Sequence, residues 1–212
     1  MIAQGACAPL KLPPIDFASR APLAEALRRR CTTRSISPEP LPLQTLSNLL
    51  WAAWGVNREG GPFDLPGRTA ASAGNSQEMD LYVLMAEGAY CYDATVHILR
   101  FLADGDFRAL AMTPGQWDAD PVAPVHLVFA ADFDRIVNPQ GFREPGLEDP
   151  DVQKAYAHVA CGMIGANVYL FAAAEGLAAW FHNCDRESLK SRLGLGETHR
   201  VLFAMSVGYP RS

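Results

Sequence analysis

The run from about Val152 to Ala174 constrains this chain more than any other stretch. Ala, Gly, Val, Ile, Tyr and Phe occur on nearly every side of its helical projection, so as a helix it has no broad polar face for water. The pattern predicts a long central helix buried by everything else, with Gly176 as its cap. A chain of 212 residues, 49% of them apolar, has material for one core of that kind and is short for two. No internal repeat and no change of composition divides it. Residues 1–20 are rich in Pro and read as an extended arm, and residues 21–212 as a single α+β domain.

Shorter elements fit around that helix. Pro22 suits the first turn of a helix with Leu23, Ala26 and Leu27 on one face. Pro42 opens a second, in which Leu43, Leu46, Leu49, Leu50 and Trp54 form one stripe that Gly55 is placed to stop. Residues 57–68, with Gly60, Gly61, Pro62 and Pro66, read as an exposed loop. Leu81 to Ala86 and Ala89 to Asp93 read as a hairpin about Glu87-Gly88. Residues 104–120 mix a short helix with a loop, and Pro124 to Ala130 reads as a strand covered on both faces. A strand over Leu177 to Phe181, a helix over Arg186 to Leu193 and a last strand over Val201 to Val207 complete the pattern.

Several function classes fall away. A net charge of −5 argues against a nucleic-acid surface, because phosphate backbones are held by clustered Lys and Arg. Arg28-Arg29-Arg30 with Arg34 is a local basic cluster of a size for one small phosphate. Cys7, Cys31, Cys91, Cys161 and Cys184 show no CxxC spacing, so neither a zinc knot nor a disulfide framework is expected, and reduced thiols of a cytoplasmic protein are the simpler reading. His97, His126 and His199 show no metal-ligand spacing either. No apolar run is expected to reach the ~18 residues of a membrane helix, so no membrane partner is expected. No intact signal peptide is read at the N-terminus, although Ala3 to Ala8 would suit the remnant of a trimmed leader and hence an exported form.

Two short segments carry the chemistry. In Arg30-Cys31-Thr32-Thr33-Arg34, two guanidinium forks lie four residues apart with a hydroxyl between them, a donor set that can converge on a phosphate. The plainer reading is a solvated basic helix end. In Ala71-Ser72-Ala73-Gly74-Asn75-Ser76-Gln77, small polar groups crowd a bend where Gly74 permits close approach of a flat ligand. The plainer reading there is an ordinary turn before a strand.

In order, these pieces resemble the FMN-dependent nitroreductase family. An Arg-x-Ser-x-Arg-like segment corresponds to Arg30 to Arg34, and a leucine-rich helix ending in Ala-Ala and Gly corresponds to Leu49 to Gly55. A Pro-Ser-x-x-Asn-x-Gln segment corresponds to Ala71 to Gln77, and an Ala-Gly-rich helix followed by Gly-Leu to Ala160 to Leu177. A last strand runs into Gly208-Tyr209-Pro210. Within the family, Trp51 to Gly55 and Arg68-Thr69 look nearest the branch that includes the azoline oxidases of peptide tailoring.

The resemblance implies a central, mostly antiparallel sheet packed by helices around the long buried one. It also implies a homodimer with FMN at the subunit interface. Arg30, Thr32 and Arg34 would hold the ribityl phosphate, with Cys31 contributing mainly backbone, and Arg211 would stand where many members carry a basic pair. Ser72, Ala73 and Asn75 would reach the flavin from the partner subunit, and Gln116 is a further candidate for the polar edge of the ring. Phe181, His182, Asn183 and Cys184 lie where members present backbone amides to the reducible ring nitrogen. Departures are Ala71 for Pro, Glu78-Met79 for Pro-Trp, Thr32 for Ser, and the single Arg211.

The expected function is therefore an FMN-dependent oxidoreductase. It would pass hydride between NAD(P)H or an organic donor and a small acceptor by ping-pong kinetics, with no side chain as nucleophile. The alternative is a flavin- or ligand-binding protein of the same fold without turnover. His158 is read as a satisfied core or interface histidine, Tyr156 and Tyr169 as packing, and Arg68 and Arg143 as loop cations open to an anionic substrate or to solvent.

Overall fold

The computed structural model describes residues 8–17, 21–61, 64–113, 115–116, 123–139 and 147–211. The arm enters as a two-residue strand β1 (Leu10–Lys11), followed by α1 (Leu23–Arg29), α2 (Leu43–Trp54) and a small ribbon of β2 (Val56–Arg58) with β3 (Gly67–Arg68). Strands β4 (Met79–Met85), β5 (Gly88–Asp93) and β6 (Ile98–Asp104) precede β7 (Val125–Asp132) and α3 (Phe133–Val137). The long helix α4 (Pro150–Glu175), β8 (Ala178–His182), α5 (Arg186–Arg192) and β9 (His199–Gly208) follow. Seven strands form one sheet in the order β1-β6-β5-β4-β7-β9-β8, and every described pairing in it is antiparallel.

Alternation along the strands sorts the sheet's two faces. Leu81, Val83, Leu127, Phe129, Met205 and Val207 point into the main core with α2 and α4. Their neighbours Tyr82, Leu84, Val128, Ala130 and Ala204 point the other way, toward Leu189 of α5. Strand β7 lies between β4 and β9, and its residues from Val125 to Ala131 are all buried, as its apolar run requires. Helix α2 begins at Pro42 and ends at Gly55, and its predicted stripe supplies Leu46, Leu49, Leu50 and Trp54 to the core.

Helix α4 is capped at both ends. The Asp149 side chain accepts from the Asp151 amide at 2.8 Å with Pro150 in the first turn, and Gly176 takes the left-handed conformation with φ 70°. Two expectations about this helix are corrected. By length and composition alone it is apolar enough to cross a membrane, a test that the core helix of a soluble protein also passes. Nor is it buried all round. Half of that apolar window is buried, against α1, α2 and the sheet, while Ala155, His158, Val159, Gly162, Met163 and Ala166 form one exposed stripe. Periodicity could not reveal this stripe, since the residues on it are as apolar as those in the core.

The arm is fastened rather than loose. Leu10 pairs with Leu99, Leu12 is buried, and Ser47 Oγ donates to the Pro13 carbonyl at 2.7 Å. Part of the segment expected as loop, residues 57–58 and 67–68, belongs with Val56 to the β2–β3 ribbon.

Candidate functional site

Downstream of α1 the chain leaves the helix and runs extended along the outer edge of β8. The Thr33 amide donates to the Ala179 carbonyl at 3.0 Å, Ile36 bridges Pro210, and the Arg211 amide donates to the Ser35 carbonyl at 3.1 Å. Gly208 makes this crossing possible: a Cβ there would lie 2.7 Å from both Ile36 Cγ2 and Pro124 Cδ. Two predicted phosphate groups of distant sequence, the Arg30–Arg34 segment and Arg211, are thereby neighbours.

The segment converges on Tyr169 of α4. Thr32 Oγ1 lies 3.0 Å from the Tyr169 hydroxyl, which accepts from the Phe181 amide at 2.9 Å. With that lone pair engaged, the phenol O–H is free to donate to Thr32. The Arg30 guanidinium sits 5.3 Å from the Tyr169 ring and that of Arg34 sits 5.5 Å from the Trp180 ring. Neither has a carboxylate partner among the described residues, and both are exposed with Thr32. Two positioned, unneutralised cations beside hydroxyls are a donor set with the chemistry to take an anion. Tyr169, read from sequence as packing, is the hub; its hydroxyl position had no local sequence signal.

The Ser-rich turn is a 3-10 turn over Ala73–Asn75 with left-handed backbone at Gly74 (φ 56°), Asn75 (φ 55°) and Gln77 (φ 50°). Non-glycine residues there store strain that the surroundings must hold. Ser72 Oγ accepts from the Gln77 amide at 3.0 Å, and Gln77 Nε2 donates to the Pro66 carbonyl at 2.8 Å. Arg68, an anionic-substrate candidate, instead turns inward: its Nε donates to Gln77 Oε1 at 2.6 Å over the Trp54 ring. Asn75 Nδ2 and Thr69 Oγ1 are buried with no hydrogen-bond partner among the described residues. Each such orphan costs about 1–3 kcal/mol until a partner arrives.

No hydrogen bond or ion pair joins the two halves among the described residues. The turn is tied to α4 through Asn167 Nδ2, which donates to the Thr69 carbonyl at 3.1 Å, whereas the arginine segment is tied through Tyr169. Two positions on a helix are about 200° apart, so the halves flank the exposed stripe of α4 on opposite sides. A cleft of about 360 Å³ lined by Phe17, Trp51, Thr69, Asn167 and Phe171 lies on the Asn167 side.

The remaining candidates are placed as follows. The Phe181 ring packs on Gly165, Phe129 and Phe203, and its amide is taken by Tyr169. His182 is buried on the opposite sheet face, where burial holds its imidazole below the ordinary range. Asn183 is exposed beside it. Gln116 Oε1 accepts from the Thr113 amide and hydroxyl, both at 2.8 Å, and closes its own turn. Cys31 is exposed, whereas burial raises the thiols of Cys91 and Cys161 to about 12 and that of Cys184 to about 11. His158 is exposed on α4, its Nδ1–H donating to the Lys154 carbonyl at 2.6 Å. Arg143 lies outside the described residues. No cluster of metal-ligating side chains occurs among the described residues.

An antiparallel seven-stranded sheet packed on one long helix, with a small two-stranded ribbon beside it, defines an α+β protein whose edge strand carries the candidate site among the described residues. The nitroreductase family model matches residues 27–209, and the chain belongs to that family of oxidoreductases. A nitroreductase-family protein of Methanocaldococcus jannaschii is 31% identical over 196 residues, spanning 85% of this chain and 89% of that one. A solved structure from the same family, from Ralstonia eutropha JMP134, is 31% identical with a TM-score of 0.83 and covers 99% of this chain and 93% of that one. A nitroreductase of Desulfovibrio desulfuricans solved in complex with FMN shares the fold, with a TM-score of 0.60 at 18% identity over 92% of this chain and 89% of that one.

Proposed function

We propose that this protein is an FMN-dependent oxidoreductase that works as a homodimer and takes electrons from NADH or NADPH for a small organic acceptor. The observation that carries the reading is a pair of unneutralised guanidiniums on one short segment, Arg30 set with Thr32 against Tyr169 and Arg34 over the Trp180 ring. The donor set fits a phosphate monoester: planar forks give paired hydrogen bonds to its oxygens, and the hydroxyl adds a third direction. Arg211, whose amide is bonded to the Ser35 carbonyl, supplies a further cation beside the segment. FMN, when bound, supplies reversible hydride transfer; the protein supplies grip, orientation and exclusion of water.

The dimer supports the same reading. Val159 and Met163 are 53% and 43% exposed, and α1 beside α4 exposes Leu23 and Leu27 at 65% and 57%. Apolar side chains of that size on one face suit a second copy of the chain. In a two-fold pairing along α4, the Tyr169 flank of one subunit meets the Asn167 flank of the other. The partner subunit's Ser72, Ala73 and Asn75 then come to the arginine segment, and the orphaned Asn75 Nδ2 gains an acceptor on the ligand. The free thiols of the described cysteines support a reducing, cytoplasmic compartment.

Absorbance spectra of the purified protein, before and after anaerobic NADH and NADPH, test the proposal. Oxidised-flavin bands bleached by either nicotinamide are expected. A colourless protein that ignores added FMN overturns the reading, and bound flavin that neither nicotinamide reduces overturns the choice of electron donor.

A further inference from the structure

Behind β8, on the sheet face away from α4, three polar side chains lie in an apolar setting: His126, Ser206 and His182, at 0%, 2% and 5% exposure. Their hydrogen bonds have one consistent direction. His182 Nδ1 is 2.8 Å from the Asn183 carbonyl, which can only accept, so Nδ1 carries the proton. Burial disfavours the charged ring, and with the proton on Nδ1 the neutral imidazole offers Nε2 as an acceptor, 2.7 Å from Ser206 Oγ. Ser206 Oγ, its proton used, accepts from His126 Nδ1 at 3.0 Å. The Trp180 ring, 4.7 Å from the His182 ring, packs against it.

The end of this chain of bonds acts on the peptide between Asn183 and Cys184. A trans peptide is planar, with its N–H directed opposite to its C=O. Holding the Asn183 carbonyl toward the imidazole therefore turns the Cys184 N–H away from it. The next residue is fixed as well, because the Asp185 amide donates to the Leu110 carbonyl at 3.1 Å and its side chain accepts from the Ser188 amide at 3.2 Å, capping α5. The Cys184 N–H itself has no acceptor among the described residues.

We infer that His182 is a positioning residue for the cofactor: through its Nδ1–H it locks the Asn183–Cys184 peptide so that the Cys184 amide stands as a fixed donor for the reducible edge of the flavin. This inference rests on the flavin reading of the site. Ser206 and His126 hold the imidazole in the required tautomer, so a side chain that never touches the ligand sets the aim of a backbone group that does. A preoriented donor needs no reorganisation when the electron distribution of its partner changes.

The two nitrogens of His182 can be separated by substitution. Asn at this position keeps a donor where Nδ1 stands, whereas Gln keeps a polar group nearer Nε2 and Ser206. His182→Asn should leave the FMN midpoint potential near that of the wild type. His182→Gln should change the relative affinity for oxidised and reduced FMN about tenfold, about 30 mV for a two-electron couple. Long-range imidazole ¹⁵N spectra of the flavin-free protein should show His182 neutral with its proton on Nδ1. A proton on Nε2 overturns the inference without any variant, which covers the case in which His182→Gln does not fold. A wild-type potential and FMN affinity in folded His182→Gln overturn it also, as does an equal shift in His182→Asn. Failure of wild-type protein to bind FMN overturns the flavin reading itself, a result separate from either.

Discussion

Replacing Arg30 and Arg34 together by Ala removes the cations of the proposed phosphate site and little else. Both side chains are exposed, neither is in an ion pair among the described residues, and their contacts are ring faces at 5.3 and 5.5 Å. Exposed cation–π contacts contribute about 0.5–1 kcal/mol each, so the flavin-free protein should lose about 1–2 kcal/mol. For a chain of this size that lowers Tm by roughly 2–8 °C. Each lost charge-assisted bond to phosphate costs about 1.5–3 kcal/mol, the lower value for an open surface and the upper for a site covered by a second subunit. Affinity for FMN should therefore fall by about 10²–10⁴-fold. Calorimetric titration of the apoprotein measures this, with riboflavin as the control because it lacks only the phosphate. The double variant should bind riboflavin about as well as the wild type does and should no longer distinguish it from FMN. An FMN affinity within threefold of wild type, or an equal loss for both ligands, would refute the phosphate assignment.

Other outcomes follow from the same geometry. Gly208→Ala should destabilise by about 1–3 kcal/mol through overpacking against Ile36 and Pro124, visible as a lower urea midpoint together with weaker FMN binding. Glu78 is fully buried beside the Ser76 hydroxyl, and desolvation raises its pKa above the ordinary 4.5. Its folded form thus keeps a proton that the unfolded chain releases, so stability falls as pH rises from 4.5 through the folded value, and Glu78→Gln should flatten that slope in urea titrations. Burial lowers the pKa of His97, which is bonded to Ser47 at 2.7 Å and Tyr92 at 2.9 Å. Its stabilisation of the arm is lost as pH falls below about 6.5, and lower amide protection factors over residues 10–16 at pH 5 than at pH 7.5, each corrected for the intrinsic exchange rate, check it. Met163→Asp should convert the proposed dimer to a monomer with weaker FMN binding, by light scattering and titration; a dimeric Met163→Asp refutes the proposed α4 interface. Cys31 should alkylate fastest of the described cysteines and more slowly with FMN bound, as peptide mapping would show.

The elements that carry their own punctuation were legible in the sequence. Pro42 and Gly55 bound α2, and Gly176 ends α4 at the residue where the apolar pattern stops. The β4–β5 hairpin and the fully buried β7 follow from run length and turn chemistry. Strands β1 and β6 and helix α3 escaped notice because their residues alternate weakly and owe their conformation to neighbours. At the site, Arg30, Thr32 and Arg34 were readable as a donor set, but their hub, Tyr169, is 135 residues beyond Arg34 in the chain and looks like any aromatic on an apolar helix. The inward turn of Arg68 toward Gln77 was equally invisible, since a loop arginine gives no sign of where its guanidinium points.

The extended course of residues 30–36 has a consequence for how the protein ages. Strand β8 is the last in the sheet, and its open side is occupied by the Thr33 amide on Ala179 and by Tyr169 on the Phe181 amide. An uncovered strand of this kind is a template for pairing with other chains. The ligand grip and the guard on the sheet are therefore the same few residues. Cofactor-depleted stocks should clump sooner than loaded ones, at equal fold content, because the segment proposed to hold the phosphate also keeps the sheet from growing.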